Sequence, residues 1–191
     1  KTDSMAWSPD FVSLIFCLLN NCLSFSSASI IIKNSWSLIK LMPYYDEIAG
    51  GYNALHAGEQ LAKLRVIASH LNLNKSASVL DVGCGTGLSK EVFNCKITGI
   101  DPSEKLLEQC SFPVKKACAE SIPLADNSFD VVIAVTCIHN FDDLEKGLRE
   151  IKRVGKKRFA LSVLKKSPKK EKIIKLISSF FCIEKVLDQE F

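Results

Sequence analysis

None of the eight cysteines (Cys17, Cys22, Cys84, Cys95, Cys110, Cys118, Cys137 and Cys182) pairs with another in Cys-x-x-Cys spacing, and none of the three histidines lies at ligand spacing from one. A structural zinc site needs such closely spaced donors, so the pattern speaks against a metal centre. Several of these cysteines fall in apolar runs, where a free thiol acts as a small hydrophobe. They read as reduced thiols of a cytosolic protein. Internal repeats are lacking as well, which sets aside solenoids and propellers. Extreme charge is lacking too: the net charge is +4, with 24% charged and 47% apolar residues, as in ordinary globular chains. At 191 residues the chain suffices for one domain with a core and falls short of what two usually need.

The modest net charge conceals an asymmetry. From Leu41 to Glu145 there are 8 Lys/Arg against 14 Asp/Glu, and from Lys146 to Lys175 there are 13 against 2. Such a switch can mark a surface for a polyanion. Lys152, Arg153, Lys156, Lys157, Lys169 and Lys170 are its candidate phosphate contacts, with RNA as the expected partner. Aromatic interleaving is thin, and a set of solvated lysine faces is the plain alternative.

Phe11 to Ile32 is a run of 22 residues without charge. Its length would allow a membrane span. Asn20, Asn21 and four following serines make it a poor one, and Asp3 and Asp10 ahead of it make a poor signal peptide. Globular composition begins at Met42. Three readings of residues 1–41 stay open: an extension outside the natural protein, which then starts at Met42; an anchor or leader; and a helix packed on the domain. The domain itself is expected over residues 42–191.

The remainder alternates between two periods. Ala54–Leu71 has helical spacing, Ser78–Val82 is a short apolar strand, and Leu88–Phe93 suits a helix. Lys96–Ile100 is a second strand, and Ser103 caps a helix running to about Cys110. Pro113–Ala117 and the continuous apolar run Phe129–Val135 are further strands, the latter buried on both faces. Asp142–Val154 is helical, Arg158–Leu164 a strand, Ser167–Phe180 a basic helix and Phe181–Leu187 a last strand. Alternation of this kind implies parallel strands with right-handed crossovers, hence an open α/β sheet. Ligands of such sheets bind at the carboxyl ends of the strands.

After the first of these strands comes Asp81-Val82-Gly83-Cys84-Gly85-Thr86-Gly87. Its glycines let the backbone approach a ligand closely. After the second comes Asp101, 18 residues beyond Gly83, where a carboxylate can accept from a ribose diol.

The pair VLDVGCGTG and GID resembles the first two motifs of the class I S-adenosylmethionine-dependent methyltransferases. Tyr45-Asp46-Glu47-Ile48-Ala49 with Tyr52 is similar to the family's N-terminal tyrosine motif, and AESIPLADNSFDVVIA from Ala119 resembles its third and fourth motifs. The resemblance runs from about Tyr44 to Leu187. It implies a Rossmann-like doubly wound, mostly parallel sheet and S-adenosylmethionine as cofactor. Gly83, Cys84 and Gly85 would follow its methionine and ribose portions, with Asp81 accepting from backbone or from the cofactor amine. Asp101 would hold the ribose hydroxyls, Pro102 with Ser103 would flank the adenine, and Ala119 with Glu120 would reach its edge. Tyr52 would close the pocket. The family usually has an acid just before that alanine, and here it is Cys118, a weak acceptor. Either Glu120 or a water takes its place, or affinity for the cofactor is reduced.

Methyl transfer from a sulfonium is an in-line displacement, for which proximity and alignment suffice. A base is needed only for a nucleophile protonated at neutral pH. His139, Asn140 and Tyr45 are the candidate catalytic residues near the methyl group. Members that methylate glutamine or adenine amines carry an Asn-Pro-Pro-Tyr type motif after the fourth strand, where this chain has Thr136-Cys137-Ile138-His139, so that chemistry is disfavoured. The class-level alternative is a non-catalytic cofactor-binding or scaffold protein of the same fold.

The family sheet has a seventh, antiparallel strand between the fifth and sixth. Asp188-Gln189-Glu190-Phe191 reads as the turn into it, and then the sequence stops. The sheet is therefore expected to lack that final strand, leaving the fifth as an exposed edge. Either the natural protein is longer, or a partner, such as the small activator subunit of some tRNA and rRNA methyltransferases, completes the edge.

Overall fold

The computed structural model describes residues 11–18 and 44–190. The elements run β1 (Phe11–Leu18), α1 (44–48), α2 (Tyr52–Leu71), β2 (Ser78–Val82), β3 (Lys96–Asp101), α3 (Glu104–Leu107), β4 (Val114–Lys116), β5 (Phe129–Ala134), α4 (Leu144–Val154), β6 (Gly155–Leu164), α5 (Lys170–Phe180) and β7 (Cys182–Glu190). Seven strands form one sheet in the order β4-β3-β2-β5-β6-β1-β7. Strands β2 to β6 pair in parallel.

The two sides of the sheet follow from strand period two. Leu80, Val82, Val132, Ala134, Phe159, Leu161 and Val163 point to one face, under α4 and α5. Val79, Val131, Ile133 and Ala160 point to the other, under Leu64, Ile67 and Leu71 of α2. Helix α4 buries Leu144, Leu148 and Ile151, one helical stripe, and its first turn is capped by Asp143, whose side chain accepts from the Lys146 N–H at 3.0 Å.

β1 corrects the expected edge. It lies between β6 and β7 and runs antiparallel to both, with Ile15 opposite Leu161 on one side and Val186 on the other. Ile15 joins the core of one face and Phe16 that of the other, at 2% and 6% exposure. The place expected to stand empty is filled by residues counted as an extension, and β6 needs no partner chain to cover it. Asp188, Gln189 and Glu190 continue β7, opposite Ser13, Val12 and Phe11, and do not turn away. Residues 1–10, Phe191 and residues 19–43, which hold the rest of the apolar run and Met42, lie outside the described residues. Among the described residues, no helix is long and apolar enough to cross a membrane.

Smaller differences are local. Leu88–Phe93 makes a short 3-10 turn over Leu88–Glu91, and the helix capped by Ser103 ends at Leu107. Both are brief links between adjacent parallel strands.

Candidate active site

Strands β2, β3 and β5 all end at one edge of the sheet, and a cleft of about 890 Å³, open to solvent, lies across their ends.

Its floor is the glycine loop after β2. The N–H groups of Gly83 and Cys84 both donate to the Ile100 carbonyl, at 2.8 and 3.0 Å, tying the loop to β3. Gly83 and Gly85 have φ of 70° and 54°, the left-handed region that side chains resist. A Cβ at Gly83 would strike Cys137, 2.6 Å away. A Cβ at Gly85 would meet nothing closer than Tyr52, at 3.9 Å, so the loop leaves open space against the cleft.

Asp101 ends β3 beside that loop. Gly85 N–H donates to one of its oxygens at 3.0 Å and Ser103 N–H to the other at 2.9 Å. Burial pushes its carboxyl up, and these two donors oppose the shift. Each oxygen keeps a further lone pair for a hydroxyl donor. Pro102, Ala119 and Glu120 line the same end. Glu120 accepts from the N–H groups of Asp142 and Asp143 at 2.8 and 3.3 Å, so it fastens the loop before α4. Cys118 lines the cleft, and burial raises its thiol.

The other end is walled by Tyr45, Tyr52, Thr136, Cys137 and Asn140. A strap from α1 into α2 covers it. Asn140 donates to the Tyr45 hydroxyl at 3.1 Å, Ser103 to Asp46 at 2.5 Å, Gln109 to the Ala49 carbonyl at 2.9 Å and Thr86 to Asn53 at 2.6 Å. Burial raises the phenols of Tyr45 and Tyr52, so both stay protonated at neutral pH.

The cleft thus gathers Tyr45, Tyr52, Gly83, Gly85, Asp101, Pro102, Ala119, Glu120 and Asn140. Asp81 and Cys84 line a smaller hollow beneath the glycine loop. Burial lifts Asp81 to about 7, with Asp101 adding to the shift and Ser89 opposing it. His139 lines neither space. Burial, then the charges of Lys169 and Lys63, lower it to about 4.

Thr136 is a site residue that pattern reading missed. This β-branched residue sits at φ 57°, two residues after the end of β5, a strained position that persists only when its surroundings over-determine it. Its N–H donates to Ser162 at 2.6 Å, its hydroxyl accepts from Lys63 at 3.1 Å, and the same hydroxyl donates to Gln60 at 3.3 Å. Lys63 is fully buried and pairs with Glu59. The signal was present: a lysine on the apolar stripe of α2, next to Leu64.

A family model described as a methyltransferase domain matches residues 80–161. The demethylmenaquinone methyltransferase of Thermotoga maritima is 31% identical over 142 residues, covering 66% of this chain and 62% of that one. Residues 80–161 carry a methyltransferase domain similar to those of the S-adenosylmethionine-dependent methyltransferases. Norajmaline N-methyltransferase of Rauvolfia serpentina is 31% identical over 138 residues, covering 59% of this chain and 45% of the relative. A solved Thermotoga maritima methyltransferase, described as a possible histamine N-methyltransferase, is 30% identical with a TM-score of 0.50 over 59% of this chain and 55% of that one. The cyclase SpnF shares the fold at a TM-score of 0.55 and 23% identity, over 61% of this chain and 56% of its own. The chain spans about half to three-fifths of the length of such relatives.

Proposed function

We propose that this domain binds S-adenosylmethionine and transfers its methyl group to a small-molecule acceptor. The observation that carries the reading is Asp101, held by two backbone donors beside a left-handed glycine loop at the strand ends of a parallel sheet. That donor set fits the cofactor: a carboxylate for a diol, an open cradle at Gly85, and flanking surface at Pro102 and Ala119. Bound there, the cofactor supplies an already activated methyl group.

The chain's own residues orient and enclose. Tyr45 and Tyr52 shut water out, and Asn140 holds Tyr45 in place. Among the described residues that wall the acceptor end, none offers a base: burial raises the phenols of Tyr45 and Tyr52 and pushes the Cys137 thiol well above its ordinary range. The acceptor that fits is one whose nucleophile is already unprotonated at neutral pH, such as an aromatic amine or an acidic carbon, oxygen or sulfur.

The cations expected to hold RNA are dispersed. Arg153 pairs with Glu150 and Asp126, Lys156 with Asp130, and Lys152 donates to the Phe180 carbonyl. Lys156 and Lys157 stand at the start of β6 and Lys169 and Lys170 beyond its far end, about 30 Å along the strand. This favours a small acceptor over RNA, in line with the quinone-precursor and alkaloid methyltransferases among the relatives. A cytoplasmic setting with reduced thiols goes with the same reading.

Two measurements test it. Calorimetric titration of the full chain with S-adenosylmethionine should show one site, and no binding would leave only the scaffold alternative. Radiolabelled methyl transfer should enter a small-molecule extract, and label found only in total RNA would reverse the acceptor assignment.

A further inference from the structure

Two thiols meet at the glycine loop. Cys84, in the loop, is 8% exposed, and Cys110, after α3, is half-buried. Both sulfurs turn to one acceptor, the carbonyl of Gly85. Cys110 Sγ donates to the Gly85 carbonyl at 3.3 Å, and Cys84 Sγ lies 4.0 Å from the same oxygen. Both sulfurs are closely packed: a Cβ at Gly99 would fall 2.6 Å from Cys84 Sγ, and one at Gly87 would fall 2.9 Å from Cys110 Sγ. The opposite side of Gly85, its N–H, donates to Asp101. A single residue thus links the dithiol to the carboxylate of the cofactor cleft.

We propose that Cys84 and Cys110 are an oxidisable pair, closed to a disulfide by a peroxide, and that closing it distorts the cradle at Gly85. The two roles divide by environment. Cys110 is the more exposed and its thiol is lowered by the neighbouring Cys84, whereas the neighbouring Cys110 and then burial push the Cys84 thiol up. Cys110 thiolate attacks one peroxide oxygen. The O–O bond breaks, the departing hydroxide takes a proton to become water, and Cys110 is left as a sulfenic acid. Cys84 sulfur then attacks that sulfur; the S–O bond breaks, the S–S bond forms, and the Cys84 proton leaves in a second water. Two thiols lose two electrons and the peroxide gains them. Bonded sulfurs stand about 2.05 Å apart, so at least one of these free thiols must leave its position against the Gly85 carbonyl.

The disulfide stands by itself; its consequence for cofactor binding rests on the methyltransferase reading. The test treats the full chain with hydrogen peroxide and maps its peptides without reductant. A Cys84–Cys110 link is expected, with faster amide hydrogen exchange over residues 83–87, affinity for S-adenosylmethionine lowered about tenfold or more, and full reversal by dithiothreitol. Cys110→Ser should form no such link and should keep its loop exchange and cofactor affinity under peroxide. Oxidation of Cys110 to the sulfinic acid without a link, or a link to Cys118 or Cys137 instead, overturns the pair. A link that leaves loop exchange unchanged overturns the effect on the cradle. If reduced protein fails to bind the cofactor at all, the methyltransferase reading falls, while peptide map and exchange still decide the dithiol.

Discussion

Asp101 is 8% exposed at the end of β3, where an ionised carboxylate is costly unless hydrogen bonds compensate. The N–H groups of Gly85 and Ser103 do so. An asparagine there must turn its amide toward one of these donors and loses the charge that strengthens a bond to a hydroxyl. Asp101→Asn should weaken S-adenosylmethionine binding by about 10- to 100-fold, the equivalent of ~1.5–3 kcal/mol for a hydrogen bond to a charged group. Calorimetry reads this directly, and unchanged affinity would remove Asp101 from the site. His139 behaves in the opposite sense to a titrating base. Its folded value of about 4 lies below the ordinary 6.5, so between these values the unfolded chain binds the proton that the folded one refuses. Its contribution to stability is full above about pH 6.5 and is lost as pH falls toward 4. An NMR titration should place the ring's midpoint near 4. A midpoint at 6.5 would mean that solvent reaches the ring and would restore it as a candidate base.

At the scale of elements, β1 and the strap over the cleft matter most. β1 supplies both neighbours' ladders, and without it β6 and β7 face each other across a gap one strand wide. Removing residues 1–18 should abolish the cooperative thermal transition followed by circular dichroism. The milder Ile15→Ala, at a site 2% exposed, should cost about 2–5 kcal/mol and keep the fold. A shortened chain with an unchanged melting temperature would show that β1 is dispensable. In the strap, Tyr45→Phe removes the oxygen that Asn140 donates to. A neutral hydrogen bond contributes about 0.5–1.5 kcal/mol, so cofactor affinity should fall by less than about tenfold, mainly through faster dissociation seen in stopped-flow fluorescence. No change in dissociation would mean that the strap does not gate the cleft.

For the molecule as a whole, the basic segment from Lys146 to Lys175 was legible as composition and misleading as a surface. Residues adjacent in sequence along a ten-residue strand end on opposite sides of the sheet. Charge counts carry no such geometry. The parallel core was more legible, because its information is local. The run FDVVIA of β5 must be buried on both faces, Ser78–Val82 ends in glycines, and Ser103 and Asp143 cap the helices they precede. Gly83, Gly85 and Asp101 were readable for the same reason: their spacing fixes their place at strand ends. Two things could not be read this way. FVSLIFCL is an apolar run whose period does not separate a buried strand from a buried helix or span. Its role comes from pairing with residues more than 130 positions away. Thr136 gives no local sign that Ser162, Lys63 and Gln60 converge on it. By itself the sequence determined the glycine loop, the carboxylate beside it and the parallel sheet that presents them, since each depends on neighbours in the chain. The tertiary structure alone decided which segment completes the sheet, which cations share a surface and which thiols touch, because those depend on contacts between distant segments.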